Sequence, residues 1–248
     1  LGYGVPAELL AAGPGLQWVH SGAAGVRGSL TPEMLASPVL FTKSKGIHGP
    51  PMGDTVLGII LYFARGLDFG VANQAEGRWN NDAYYRDDHP LVELAHSCVG
   101  IFGYGGVGRE VAERVRALGA RVIAFDMSPE CFPPALGQVD NPVHPLQGED
   151  GFQRLLAESD FLVLTAPETP DTQGIFDAAA LGRMKASATL INVSRGGLVD
   201  EDALVRVLAE GRLRAAGLDV FAEEPLPAGH PLWGLPNVLI TPHVSAVT

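Results

Sequence analysis

Short apolar runs recur along the chain from Cys98 onward: Cys98–Phe102, Val122–Phe125, Phe161–Thr165, Thr189–Val193, Ala215–Val220 and Val238–Thr241. They are continuous rather than alternating, as in parallel strands buried on both faces. Helical periods lie between them. After Gly103, the residues Val107, Val111, Val115 and Leu118 share one face, Arg109, Glu113, Arg114 and Arg116 fall elsewhere, and Gly119 stops the helix. Further helices are expected at Gly151–Ala157, Asp177–Met184 and Asp202–Glu210. Six strands with helical crossovers predict a doubly wound α/β sheet.

The first half has the same alternation on a smaller scale. Pro6–Ala12 reads as a short helix, Leu16–His20 as a strand, and Val39–Thr42 as another. Thr31-Pro32-Glu33 has the chemistry of a helix start. Residues 43–51 form a loop of cations and turn formers. Asp54–Gly70 is the best long helix here, with Val56, Ile59, Ile60, Phe63, Ala64 and Leu67 on its apolar face and Arg65 as an interdomain contact. Val71–Pro90 reads as a helix end and a long polar-aromatic connection, in which Trp79 packs between domains or subunits. The expected organisation is a smaller α/β domain over residues 1–52, a larger one over 53–243, and the start of a return to the first over 244–248. Because the chain opens on Leu1 and stops abruptly at Thr248, its ends are expected to be missing and the first domain incomplete.

The stretch from Ser97 to Asp126 reads strand, glycine turn, helix, strand, acid. Gly103 makes the tight turn, Gly105 lets a pyrophosphate approach the backbone, and Gly108 lets the helix pack on the strand. The helix start offers free N–H groups to phosphates. Asp126 follows close to the roughly 20-residue offset of an acid that binds ribose hydroxyls. The residues after it, Met127-Ser128-Pro129, supply no cation for a 2′-phosphate. The stretch therefore predicts a bound dinucleotide, NAD in preference to NADP.

Composition narrows the partners. The 248 residues are 46% hydrophobic and 18% charged, with a formal net charge of −11. That acidity argues against nucleic acid and anionic membranes. It leaves room for a small anion gathered by local cations. The longest apolar stretch, Val56–Ala64, is short and broken by Gly58, so neither a signal peptide nor a span is visible. The two cysteines, Cys98 in a strand and Cys131 in a loop, suggest no disulfide, which fits a reducing cytoplasm. No metal site is expected.

In open α/β sheets, ligands bind beyond the carboxyl ends of the strands. There the chain delivers Thr165-Ala166-Pro167 with Thr172 following, then Ser194-Arg195-Gly196-Gly197, then Asp219 with Glu223-Glu224-Pro225, then Thr241-Pro242-His243. One cation, one carboxylate and one imidazole thus reach one edge from three successive strands. His20, His48, His89, His96, His144 and His230 lack this setting and read as structural or surface groups, His48 being the one whose loop could face a cleft.

Four stretches carry a resemblance: Val99–Arg109, Ile191–Glu201, Leu218–Pro227 and Thr241-Pro242-His243. In this order they resemble the D-isomer-specific 2-hydroxyacid dehydrogenases, which include glycerate, phosphoglycerate and hydroxypyruvate-type enzymes. The resemblance implies a dinucleotide-binding domain beside a smaller flavodoxin-like α/β substrate domain. It implies Arg195, Glu224 and His243 as the catalytic set. The cofactor contacts it implies are Gly103, Tyr104, Gly105, Gly106, Val107, Gly108, Asp126, Ala166, Pro167, Thr172, Val193, Ser194, Arg195, Asp219 and His243, with Asp219 on the nicotinamide carboxamide. Arg195 and His243, with Lys45, Gly46 and Ile47 from the smaller domain, would hold a small anionic 2-oxo or 2-hydroxy acid. A homodimer is implied, paired through the nucleotide domains.

The chain departs from the family's pattern in having Gly53-Asp54 where Ala-Glu is usual, and in lacking the helix that normally follows Thr-Pro-His. Side-chain chemistry suits the roles. Arg195 can grip carboxylate and carbonyl oxygen together, His243 can donate a proton near neutral pH, and Glu224 can orient the ring and favour its charged form. The alternative reading is a nucleotide-sensing corepressor on the same scaffold. Formate dehydrogenase is disfavoured because that branch carries Gln where Glu224 stands. Phosphite oxidation has no dedicated signature here.

Overall fold

The structure, a computed structural model, describes residues 10, 12–22, 29–44, 46–85, 91–133 and 140–248. The chain divides into two compact units, Leu1–His48 and Gly49–Thr248.

In the first unit, β1 (Trp18–Ser21) and β2 (Leu40–Lys43) pair in parallel, Trp18 opposite Leu40 and Ser21 opposite Lys43. The crossover between them contains α1 (Pro32–Ala36), whose start follows the expected chemistry. Thr31 Oγ1 accepts the Met34 N–H at 3.2 Å, and Pro32 fills the first helical position. The helix expected at Pro6–Ala12 falls largely outside the described residues.

The second unit opens with α2 (Gly49–Ala64) and α3 (Leu67–Ala75), followed by the short α4 (Asp82–Tyr85). The single helix expected over Asp54–Gly70 is therefore two helices, bent by 74°. Gly66 makes the break by taking a left-handed conformation, φ 64°. Arg65, expected as an interdomain contact, is exposed and donates to the Val92 carbonyl at 3.3 Å. The connection expected over Val71–Pro90 holds the rest of α3 and α4; residues 86–90 lie outside the description. Among the described residues, no single helix is long and apolar enough to cross a membrane.

Seven parallel strands follow: β3 (Cys98–Phe102), β4 (Arg121–Phe125), β5 (Val143–Leu146), β6 (Phe161–Leu164), β7 (Thr189–Asn192), β8 (Ala215–Leu218) and β9 (Val238–Ile240). Their spatial order is β5-β4-β3-β6-β7-β8-β9. Six were expected. The additional one, β5, contains His144-Pro145, which breaks the apolar run, and it lies at the sheet edge, where a missing N–H is tolerated. The order reverses between β3 and β6, so the crevice of such sheets opens at their carboxyl ends.

Alternate residues of each strand enter different cores. Val99, Ile101, Val122, Ala124 and Val163 pack with α2 and with α5 (Gly106–Ala117) on one face. Phe102, Ile123, Phe125, Leu162 and Leu164 pack on the other face with α6 (Gly148–Glu158), α7 (Ala178–Leu181) and α8 (Glu201–Ala209). Phe102 anchors the second core, stacked on Phe125 at 5.6 Å and edge-on to Phe176 at 5.0 Å. A β-carbon on Gly217 would stand 2.3 Å from Ile59 Cγ2, so the absence of a side chain there lets α2 lie on β8. Leu118, expected on the apolar face of α5, is exposed; Gly108, Val111, Ala112 and Val115 form the buried face. Cys98 is enclosed at the start of β3, and burial pushes its thiol up to about 11.

Candidate active site

The glycine turn joins β3 to α5. Gly103 has φ 98°, and a β-carbon there would lie 2.5 Å from the Ala166 N, so the turn presses directly on the chain leaving β6. A β-carbon on Gly108 would meet the Gly103 carbonyl oxygen at 2.3 Å. Gly105 and Gly106 are exposed, with nothing within 4 Å of the space a side chain would fill. The first N–H groups of α5, beginning at Gly106, have no partner within the helix.

At the end of β4, Asp126 is aimed back at this turn. Its Oδ2 accepts the Tyr104 N–H at 2.7 Å and its Oδ1 the Ser128 N–H at 2.9 Å. A cleft of about 250 Å³ opens beside it, lined by Gly103, Asp126, Met127, Ser128, Ala166, Pro167, Thr169 and Thr172 among others. An open cradle of backbone donors, a carboxylate at the second strand's end and a flanking cleft fit a dinucleotide.

Several residues expected at the cofactor have internal engagements. The Tyr104 ring is buried, stacked on Phe132 at 5.2 Å with the Arg109 guanidinium 5.8 Å from its centre; burial holds its hydroxyl above the usual range. Arg109 also donates to the Cys131 carbonyl at 2.6 Å. Thr172 is buried, accepting the Thr169 N–H and donating to the Pro167 carbonyl, each at 2.8 Å. It thereby folds the loop that lines the cleft. Val193 and Ser194 are buried at the end of β7.

The strands β7, β8 and β9 carry the second half of the site. At the end of β7, the buried Asn192 brackets the turn that follows. Its Oδ1 accepts from the Ser194 N–H and hydroxyl, both at 3.1 Å, and its Nδ2 donates to the Arg195 carbonyl at 2.9 Å. Arg195 is left exposed, with its guanidinium donating to the Ser194 carbonyl. Gly196 follows, and a β-carbon there would overlap the Phe221 carbonyl carbon at 1.9 Å and the Ala222 N at 2.2 Å. The loops after β7 and β8 thus meet backbone to backbone.

Beyond β8, Glu224 Oε1 accepts the Phe221 N–H at 3.0 Å, and its Oε2 lies 2.7 Å from His243 Nδ1. Facing a carboxylate at that distance, Nδ1 carries a proton, and Nε2 is left free to give or take one. Asp219 shapes the turn that presents His243. Its carboxylate is fully buried; Oδ1 accepts from the Thr241 hydroxyl at 2.6 Å and the Val244 N–H at 2.9 Å, and Oδ2 from the Ser245 N–H at 2.9 Å. The Asp219 carbonyl accepts the His243 N–H at 2.8 Å. This clamp holds His243 at φ 54°, in the left-handed region.

The family model described as "D-isomer specific 2-hydroxyacid dehydrogenase, NAD binding domain" matches residues 57–245. The chain belongs to the D-isomer-specific 2-hydroxyacid dehydrogenase family. Glycerate dehydrogenase of Methylorubrum extorquens is 38% identical over 193 residues, covering 77% of this chain and 56% of its own. D-3-phosphoglycerate dehydrogenase of Mycobacterium bovis is 34% identical over 244 residues, 98% of this chain and 44% of its own. The chain therefore spans about half the length of these curated relatives. A crystal structure of a D-isomer specific 2-hydroxyacid dehydrogenase from Xanthobacter autotrophicus Py2 in complex with NADPH and MES superposes with a TM-score of 0.80 at 32% identity. It covers 98% of this chain and 72% of the relative.

Within this dehydrogenase family member, the structure brings Glu224 to His243, packs the Arg195 loop on the Glu224 loop, and gathers Gly103, Asp126, Ala166, Pro167 and Thr172 about one cleft. Gly46, at φ 89°, and the exposed Ile47 belong to the first unit, and Lys45 lies outside the described residues. Sequence reasoning missed the supporting roles of Asn192, Gly196 and the Asp219 clamp. All three residues lie inside the motifs that carried the resemblance. The available signal was a polar residue closing an apolar run, Asn192 after Ile191 and Asp219 after Leu218.

Proposed function

We propose that the protein is an NAD-dependent oxidoreductase that transfers a hydride between nicotinamide and a small D-2-hydroxy or 2-oxo acid. The observation that carries this reading is the 2.7 Å contact of His243 Nδ1 with Glu224 Oε2, on the same sheet edge as the glycine turn. Family membership supports it.

Bound dinucleotide supplies or accepts the hydride. Arg195, exposed and permanently charged, binds the substrate carboxylate and polarises the carbonyl oxygen. During reduction His243 donates from Nε2 to that oxygen, and in the reverse direction it accepts the hydroxyl proton. Glu224 keeps the ring in the tautomer and orientation this requires. Gly103, Tyr104, Gly105, Gly106, Val107 and Gly108 cradle the pyrophosphate, with Asp126 on the ribose. Ala166, Pro167, Thr172, Val193, Ser194, Arg195, Asp219 and His243 continue the cofactor's contacts toward the nicotinamide.

Asp126 supports NAD over NADP, because a 2′-phosphate beside it meets like charge. Arg109, which stands over the Tyr104 ring, is already engaged with the Cys131 carbonyl. Dehydrogenase and reductase names among the curated relatives favour the enzyme over the nucleotide-sensing corepressor. Two free cysteines fit the cytoplasm. Exposed Leu67, Val71, Trp79 and Tyr85 on α3, α4 and the turn between them support a homodimer formed by this segment; light scattering at micromolar concentration should give twice the chain mass, and a monomer would sink the dimer.

Loss of NADH absorbance with glyoxylate, hydroxypyruvate and larger 2-oxo acids tests the function. Turnover of at least one, faster with NADH than with NADPH, is expected. Silence across the panel removes the reading, and equal efficiency with both cofactors removes the cofactor preference.

A further inference from the structure

A second carboxylate and imidazole, Glu201 and His230, stand behind the loops just described and have no part in the proposed chemistry. Glu201 opens α8, but its side chain does not cap that helix. The cap is Asp200, whose Oδ1 accepts the Ala203 N–H at 2.9 Å. Glu201 Oε1 instead accepts the N–H of Ala222, 2.6 Å away. Its Oε2 lies 3.7 Å from His230 Nε2, both side chains being largely sheltered at 15% and 19% exposure. His230 Nδ1 accepts the Leu232 N–H at 3.3 Å, which leaves the ring proton on Nε2, facing Glu201. At 3.7 Å the attraction is electrostatic rather than a hydrogen bond.

The peptide that Glu201 holds is a junction. One side of it touches Gly196, next to Arg195, where even a β-carbon would overlap. The preceding N–H, that of Phe221, is bound to Glu224. A shift at Ala222 therefore moves Glu224 relative to Arg195, and with Glu224 the ring of His243.

We propose that Glu201 is a positioning residue of the active site: by holding the Ala222 N–H it seats the 221–224 loop on Gly196 and so sets Glu224 and His243 against Arg195, with His230 keeping Glu201 in place. The proposal rests on the function given above. Glu201 acts through the loop and touches neither substrate nor dinucleotide.

The test compares Glu201→Ala with Glu201→Gln, which keeps a carbonyl oxygen for the Ala222 N–H. Glu201→Ala should lower kcat about tenfold to a hundredfold, the scale of a small misplacement of reacting groups. Its affinity for NADH, read by fluorescence titration, should stay within about twofold of wild type because the glycine turn and Asp126 are untouched. Glu201→Gln should restore most of kcat. A Glu201→Ala enzyme with wild-type kcat overturns the proposal, as does a Glu201→Gln enzyme equally impaired.

Hydrogen exchange at the Ala222 amide gives a readout independent of turnover. It should be faster in Glu201→Ala and near wild type in Glu201→Gln. Should the wild-type protein reduce no 2-oxo acid, the functional reading fails by itself. Unchanged exchange at Ala222 overturns the positioning role whatever the activity.

Discussion

Two of the glutamate–histidine pairs in the second unit engage the 221–224 loop, and they differ in spacing, exposure and partners. Glu224 and His243 lie 2.7 Å apart with 36% and 49% of their side chains exposed; Glu201 and His230 lie 3.7 Å apart, with 15% and 19% exposed. The first carboxylate faces a ring nitrogen and leaves the other nitrogen open. The second spends one oxygen on a backbone N–H, and its histidine spends Nδ1 on another. A pair becomes acid–base machinery when a nitrogen remains for a substrate, and becomes scaffolding when every polar atom points inward. Exposure and free valence separate them: His243 is 49% exposed with Nε2 open, while His230 is 19% exposed with both ring nitrogens facing protein groups.

The strongest way to break this comparison is to remove each imidazole. His243→Ala should lower kcat by about 10² to 10⁴, the usual worth of a positioned acid or base, with substrate KM little changed because Arg195 remains. His230→Ala should cost less than about tenfold, acting only through the loop. Steady-state kinetics on the best 2-oxo acid decide it, and equal losses would erase the distinction between the pairs.

A smaller effect on chemistry, with a larger one on the fold, is expected where the loops touch. Gly196→Ala places a β-carbon into the Phe221–Ala222 peptide. It should destabilise by about 1–3 kcal/mol, the common cost of overpacking. It should also weaken catalysis while NADH binding survives. Thermal melting and NADH titration on the same sample check both halves. Unchanged melting with wild-type turnover would mean that the two loops do not meet as described.

The comparison also marks what a sequence can tell. Strands β3, β4, β6, β7, β8 and β9 were legible because parallel strands buried on both faces leave continuous apolar runs. Strand β5 was not, since His144-Pro145 interrupts its run and its neighbour on one side is solvent. The bend at Gly66 was hidden because the apolar period continues through Leu67 while the backbone turns left-handed beneath it. Gly103, Gly105, Gly108 and Asp126 could be read from local spacing. Asp219 could be placed on the right strand end, but its engagement with Thr241, Val244 and Ser245 is a contact between distant loops, and no local pattern records it. Glu201 stands within a motif and His230 reads as structural or surface from sequence; only the fold shows that one faces the other.

The central claim is that Glu224 holds His243 in the orientation from which its free ring nitrogen exchanges the proton with substrate. The direct measurement is kcat for 2-oxo acid reduction in wild type, Glu224→Ala and Glu224→Gln, with NADH affinity titrated on the same samples. The amide of Glu224→Gln still offers an oxygen to Nδ1, whereas Glu224→Ala offers nothing. The account predicts a loss of kcat on the order of tenfold to a hundredfold in Glu224→Ala, a smaller loss in Glu224→Gln, and NADH affinity little altered in both. Wild-type kcat in Glu224→Ala would contradict the claim and remove Glu224 as the partner of His243.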